Sequence, residues 1–180
     1  MTPYVFDPDP GKWATFCTDV SGALSITPAD IAVVGSGRFG FSLAPAKKLR
    51  AFTDGSDVDV IIVHAGLFDQ LWHELLRAVY PRPPATSTVG GWLRERQKEV
   101  YTGWLTPLDV LALDKRIFGG RAQPVLDFRL RWFETFKQAE RLITRRHEDL
   151  NTRLYRTWNH AEMYHLSSLS DLRKALSRAS

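Results

Sequence analysis

A chain of 180 residues with 44% hydrophobic and 24% charged side chains is sized for one domain with a proper core, and its balance argues against long disorder. The single cysteine, Cys17, excludes an intramolecular disulfide framework and any multi-cysteine zinc site. No apolar run approaches the ~20 residues that span a bilayer. No basic segment followed by an apolar stretch opens the chain, so the expectation is a cytoplasmic protein without a membrane segment. The net charge is +4, with Arg141, Arg145, Arg146, Arg153 and Arg156 among the basic residues that load the C-terminal third. Either this is a solvated helix face, interspersed with Glu140, Glu148 and Asp149, or it is a surface that attracts nucleotides or nucleic acid.

Before residue 27 the chain shows no sustained period, and one short helix near residues 13–18 is expected. Asp30-Ile31-Ala32-Val33-Val34 ends in Gly35, the pattern of a buried strand running into a tight turn. Residues 36–43 suit a short helix, and Pro45 with the polar stretch that follows makes a loop. A second strand then covers residues 57–63. Leu67, Leu71, Trp72, Leu75, Leu76 and Val79 recur at helical spacing, which predicts an amphipathic helix over 66–80 ended by Pro81. A further helix is expected over 92–104, and residues 107–124 carry no decisive pattern.

Residues 125–130 fit two templates. Leu126, Phe128, Leu130 and Trp132 alternate with charged residues as in a strand, while Phe128, Trp132, Phe136, Ala139 and Ile143 fit a helix. From about residue 134 onward the chain reads as helical, with breaks near Thr152 and near residues 167–170. The fold class expected is α/β (α+β), a small mixed sheet backed by helices. One domain would span 1–180, with its core over about 28–132 and a helical C-terminal region over about 134–180.

The chemistry concentrates in Ser56-Asp57-Val58-Asp59-Val60. In a strand, positions i and i+2 share a face, so Asp57 and Asp59 point the same way while Val58 and Val60 turn into the core. Two carboxylates that close repel unless a divalent cation lies between them, and hard oxygen ligands suit Mg2+ or Mn2+. Upstream, Gly35-Ser36 at a strand end offers backbone N–H groups and a hydroxyl to a phosphate, with Arg38 on the same turn. A phosphate turn beside a carboxylate pair suits a metal-bound triphosphate. The matching reaction is attack by a hydroxyl on the α-phosphorus with loss of pyrophosphate, classically clamped by two metals about 3.5–4 Å apart.

Val34-Gly35-Ser36-Gly37-Arg38-Phe39-Gly40 followed by Ser56-Asp57-Val58-Asp59-Val60 resembles the paired signature of the DNA polymerase β-like nucleotidyltransferase superfamily, particularly its compact prokaryotic members. The resemblance covers residues 31–64. It implies that Asp57 and Asp59 bind metal ions and that Gly35 and Ser36 contact the nucleotide phosphates. It implies a nucleoside triphosphate donor, an acceptor that is a nucleic-acid end, nucleotide, protein or small molecule, and a defence setting. It also implies a third carboxylate on a later strand, for which Asp127 is the first candidate and Asp109 the next. Residues 41–54 look like an inserted loop whose Lys47, Lys48 and Arg50 reach a triphosphate or an acceptor.

Other readings compete. Gly35-Ser-Gly37-Arg-Phe-Gly40 spells the dinucleotide-binding G-x-G-x-x-G, but Pro45 interrupts the helix that fingerprint needs and the acids stand at the start of the next strand rather than its end. The spacing of Asp54, Asp57 and Asp59 does not fit a calcium loop. Taken alone, the aspartates suit a solvent-facing strand end that discourages edge pairing. His160 and His165, five apart, do not share a helical face as a zinc pair would. Arg153, Tyr155, Arg156 and Trp158 suit either core packing or a surface for a base and its phosphate. A module that keeps the fold and has lost turnover is the second functional class, distinguished by the lack of a third acid.

Overall fold

In the computed structural model, residues 1–44, 47, 49–80, 87–108 and 119–177 are described. Strand β1, Ile31–Val34, is short and apolar and ends where Gly35 adopts a left-handed φ of 61°. It pairs antiparallel with β2, Val58–Val63, in a register that sets Val34 opposite Asp59. The third strand to reach the sheet is β3, Trp104–Leu105, and the fourth is β4, Leu150–Tyr155. The spatial order is β1-β2-β4-β3, with β2 and β4 parallel and β3 antiparallel to β4. The sheet is therefore small and mixed, as the composition of elements leads one to expect.

Alternation along the strands separates two faces. One face carries Ile31, Val33, Val58, Val60, Ile62 and Leu154 into the main core. That core is closed by α1 (Pro10–Leu24), α3 (Ala65–Val79) and α5 (Gln123–Ala139). The opposite face carries Val34, Asp59, Ile61, Val63, Arg153 and Tyr155. A smaller cluster of Ile61, Val63, Tyr155 and Ala161 forms there under α6, Trp158–Ser177. The remaining helices are α2, Gly35–Phe39, and α4, Ser87–Tyr101. Among the described residues no helix is long and apolar enough to cross a membrane.

Several boundaries differ from expectation. Helix α1 has 15 residues rather than six. Phe16, Val20 and Leu24 do recur every fourth position, but Gly, Ala, Ser and Thr between them blunt the contrast. Residues 125–130 are helical because Val125, Phe128, Trp132, Phe136 and Ala139 all bury on one side of α5, whereas Leu130 of the strand-like alternation stays exposed. The C-terminal third is not all helix. The suspected break at Thr152 is the strand β4, and α6 runs without interruption through residues 167–170.

Candidate active site

The two sequence motifs meet. Gly35 heads α2 at the end of β1, and a Cβ built on it would lie 3.4 Å from Asp59 Oδ2, so a side chain here would crowd the carboxylate. Its positive φ and this close approach both favour glycine. Gly37 is buried for a different reason: a Cβ there would meet Val33 Cγ1 at 3.2 Å, so its absence lets α2 settle onto the sheet. With five residues, α2 contributes little dipole to this corner.

Asp57 is exposed just before β2 and Asp59 is partly buried on it, while Val58 and Val60 enter the core. Ser56 is buried and structural: its hydroxyl accepts from Thr53 N at 3.0 Å, and its carbonyl accepts from Glu148 N at 3.0 Å. Burial pushes the Asp59 carboxyl above its ordinary range. Arg153 opposes the rise, Asp57 adds to it, and Lys47 and a side-chain hydrogen bond from Asn151 oppose it further. The two aspartates are thus close enough to feel each other, as a shared cation requires.

A small polar pocket of about 60 Å³ is lined by Ser36, Asp57 and Asp59 together with Ser42, Lys47 and Arg50. The loop that carries these basic residues is closed by a bridge between Phe41 and Ala51 and by Ser42 N donating to Arg50 O at 2.8 Å. Lys48 lies outside the described residues. Next to this pocket, and sharing Ser36, Ser42, Lys47 and Asp59 with it, is a cleft of about 530 Å³. Phe39, Trp158 and Tyr164 line that cleft, and all three are exposed aromatic side chains. Glu162 and His165 reach it from α6. Burial and the nearby Arg153 charge hold the His165 imidazole below its ordinary pKa.

Arg38 also lines the cleft, with Nη1 donating to the Met1 carbonyl at 2.9 Å. Asp127 does not join the site. It is exposed on α5, bonded to Gln123 one turn away, because the segment that carries it is a helix and not the expected strand. Asp109 lies outside the described residues. On the side of β2 away from β1 lies β4, and its register sets Asn151 opposite Asp59 and Arg153 opposite Ile61. No group of three His, Cys, Asp or Glu able to hold a metal occurs among the described residues.

Arg153 is held firmly. Its Nη1 donates to Tyr164 Oη at 3.2 Å, and the guanidinium carbon lies 5.2 Å from the Tyr164 ring centroid and 5.6 Å from that of Trp104. Burial works against its charge, but Tyr164, Tyr155 and Asp59 outweigh that and hold its pKa above the ordinary value. The basic and aromatic cluster expected near here divides: Tyr155 is fully buried and Arg156 pairs with Asp69 at 3.0 Å, whereas Arg153 and Trp158 face the cleft. His160 and His165 separate as well, since His160 bonds to Thr157 and packs against Gly103.

Asn151, Glu162 and Tyr164 carry no motif, and sequence reasoning passed over them as site residues. The alternation in Leu150-Asn-Thr-Arg-Leu-Tyr155 was the available signal for the first. The dinucleotide reading fails structurally, because β1 and β2 are antiparallel and a βαβ unit needs parallel strands. None of the protein-family models, curated proteins or solved structures compared with the chain matches it.

Proposed function

We propose that this chain is a metal-dependent nucleotidyltransferase of the DNA polymerase β-like type. It would transfer a nucleoside monophosphate from an NTP or dNTP to a hydroxyl acceptor and release pyrophosphate. The observation that carries the reading is the placement of the Gly35-Ser36 turn beside the Asp59 carboxylate, with Ser36, Asp57, Asp59, Lys47 and Arg50 lining the same small pocket.

The donor set fits a divalent cation. Mg2+ is commonly held by one or two carboxylates, the rest of its shell coming from water and substrate phosphates, and Asp57 with Asp59 is such a pair. Once bound, the metal neutralises phosphate charge and lowers the pKa of an attacking hydroxyl. The chain's own residues do the rest. Ser36, Lys47 and Arg50 bind and orient the phosphates. Phe39 and Trp158 offer faces on which a base stacks. The acceptor's proton passes to the Asp59 carboxylate, so no histidine is required.

A second reading, a nucleotide-binding module with weak or no turnover, draws support from Asn151 standing where a third acid would stand. One experiment separates the two. Purified protein is incubated with Mg2+ or Mn2+, each labelled nucleoside triphosphate, and acceptors including RNA and DNA ends and the protein itself. Pyrophosphate release that disappears in the Asp57→Ala, Asp59→Ala double variant supports transfer. Saturable nucleotide binding without pyrophosphate supports the module, and identical behaviour of wild type and double variant removes the basis of the catalytic reading.

A further inference from the structure

The strand beside the carboxylate pair presents the wrong chemistry for a second metal. In parallel register, opposed residues share a face, so Asn151 and Arg153 of β4 stand on the face that carries Asp59 and Ile61. This is the place on β4 from which a third carboxylate would reach Asp59 to bridge a second cation. An amide and a guanidinium occupy it instead. Glu162 of α6 is the other acid on this cleft, yet no group of three acidic, histidine or cysteine side chains able to hold a metal forms among the described residues.

Arg153 is half-buried and packed against aromatic rings. The Tyr164 hydroxyl accepts from its Nη1, the rings of Trp104 and Tyr164 flank it, and it lines the cleft shared by Asp59, Ser36 and Lys47. These contacts favour one orientation of the guanidinium, which lowers the ordering that substrate has to impose. A fixed positive charge there also repels a second divalent cation while attracting a phosphoryl oxygen.

We infer that this site works with one divalent cation, held by Asp57 and Asp59, and that the Arg153 guanidinium takes the place of the second by binding the α-phosphoryl oxygens of the nucleotide. The inference rests on the nucleotide-transfer reading and makes Arg153 a catalytic residue within it. The bonds made and broken are unchanged: the acceptor oxygen bonds the α-phosphorus, the bond to the bridging oxygen of pyrophosphate breaks, and the leaving group keeps that electron pair. Arg153 keeps its protons throughout.

The test counts metal without relying on turnover. Wild-type protein is saturated with an α,β-methylene nucleoside triphosphate and titrated with Mn2+, and bound manganese is followed by electron paramagnetic resonance. One ion per chain with an uncoupled signal is expected. Asn151→Asp, at an exposed position, adds the missing carboxylate and is expected to admit a second, spin-coupled ion. Arg153→Met keeps much of the apolar stem and is expected to weaken the analogue at least about tenfold, since charge-assisted hydrogen bonds are lost, while Mn2+ alone binds no more weakly than in wild type because a repelling charge is removed. Arg153→Gln, which keeps a donor, should lose less. Two coupled ions in wild type, or analogue affinity unchanged in folded Arg153→Met, overturn the inference while leaving nucleotide transfer standing. A wild-type protein that binds no analogue at any Mn2+ concentration overturns both.

Discussion

Thr152→Val tests how the site strand is anchored. Thr152 lies between Asn151 and Arg153 on β4 but points the other way, into the core, where Trp132 Nε1 donates to its hydroxyl at 2.8 Å. Trp132 is 0% exposed and Thr152 is 4% exposed, so water cannot replace a lost partner. Valine matches threonine in shape and removes the acceptor alone, leaving the indole N–H buried and unpaired at a cost of about 1–3 kcal/mol. Taking about 2 kcal/mol, and about 2–4 °C per kcal/mol for a domain of this size, Tm should fall by roughly 4–8 °C. Urea unfolding should show a lower midpoint with an unchanged slope. Trp132→Phe removes the other partner and some volume, and the double variant should be less destabilised than the two singles combined, by about 1 kcal/mol. A Thr152→Val protein within about 0.3 kcal/mol of wild type, or strictly additive variants, would refute the reasoning.

Three more outcomes follow from the charges and burial. Because burial raises the Asp59 pKa in the folded state, the protein loses stability as pH climbs from the ordinary carboxylate value through the raised one, and the loss persists at neutral pH. Asp59→Asn should therefore melt higher than wild type in chelator at pH 7 and gain nothing from Mg2+, whereas a lower Tm in chelator would contradict this account. Burial pushes the Cys17 thiol up to about 11, so in the native protein it should resist a thiol-specific disulfide reagent at pH 8 and react promptly in urea; fast native labelling would show that the position opens. Asp127→Asn, exposed on α5, should leave nucleotide binding within twofold and stability within about 0.5 kcal/mol, and a tenfold loss of binding would return Asp127 to the site.

Local pattern was enough for β1, β2 and α3. Each carries its period within a few consecutive residues, and burial of that face needs no distant partner to be recognised. The same holds for the carboxylate pair and the Gly-Ser turn, whose spacing is written in the chain. The loop residues Lys47 and Arg50 were legible only as charge in an insertion; the bridge from Phe41 to Ala51 is what folds them over the aspartates.

Tertiary structure decided the rest. Residues 125–130 satisfy two periods at once, and packing of α5 against α1 and α3 chose the helix, which took Asp127 out of contention. Leu150–Tyr155 becomes a strand by pairing with β2, some 90 residues earlier in the chain, and no local window reports a partner that remote. That pairing also sets the register, and in a parallel pair the register determines which side chain stands beside which. The sequence by itself determined that Asp57 and Asp59 sit together at the head of a strand behind a Gly-Ser turn. Only the folded sheet determined that their neighbours are an amide and an arginine, because that depends on a long-range alignment of backbone hydrogen bonds and not on the order of residues nearby.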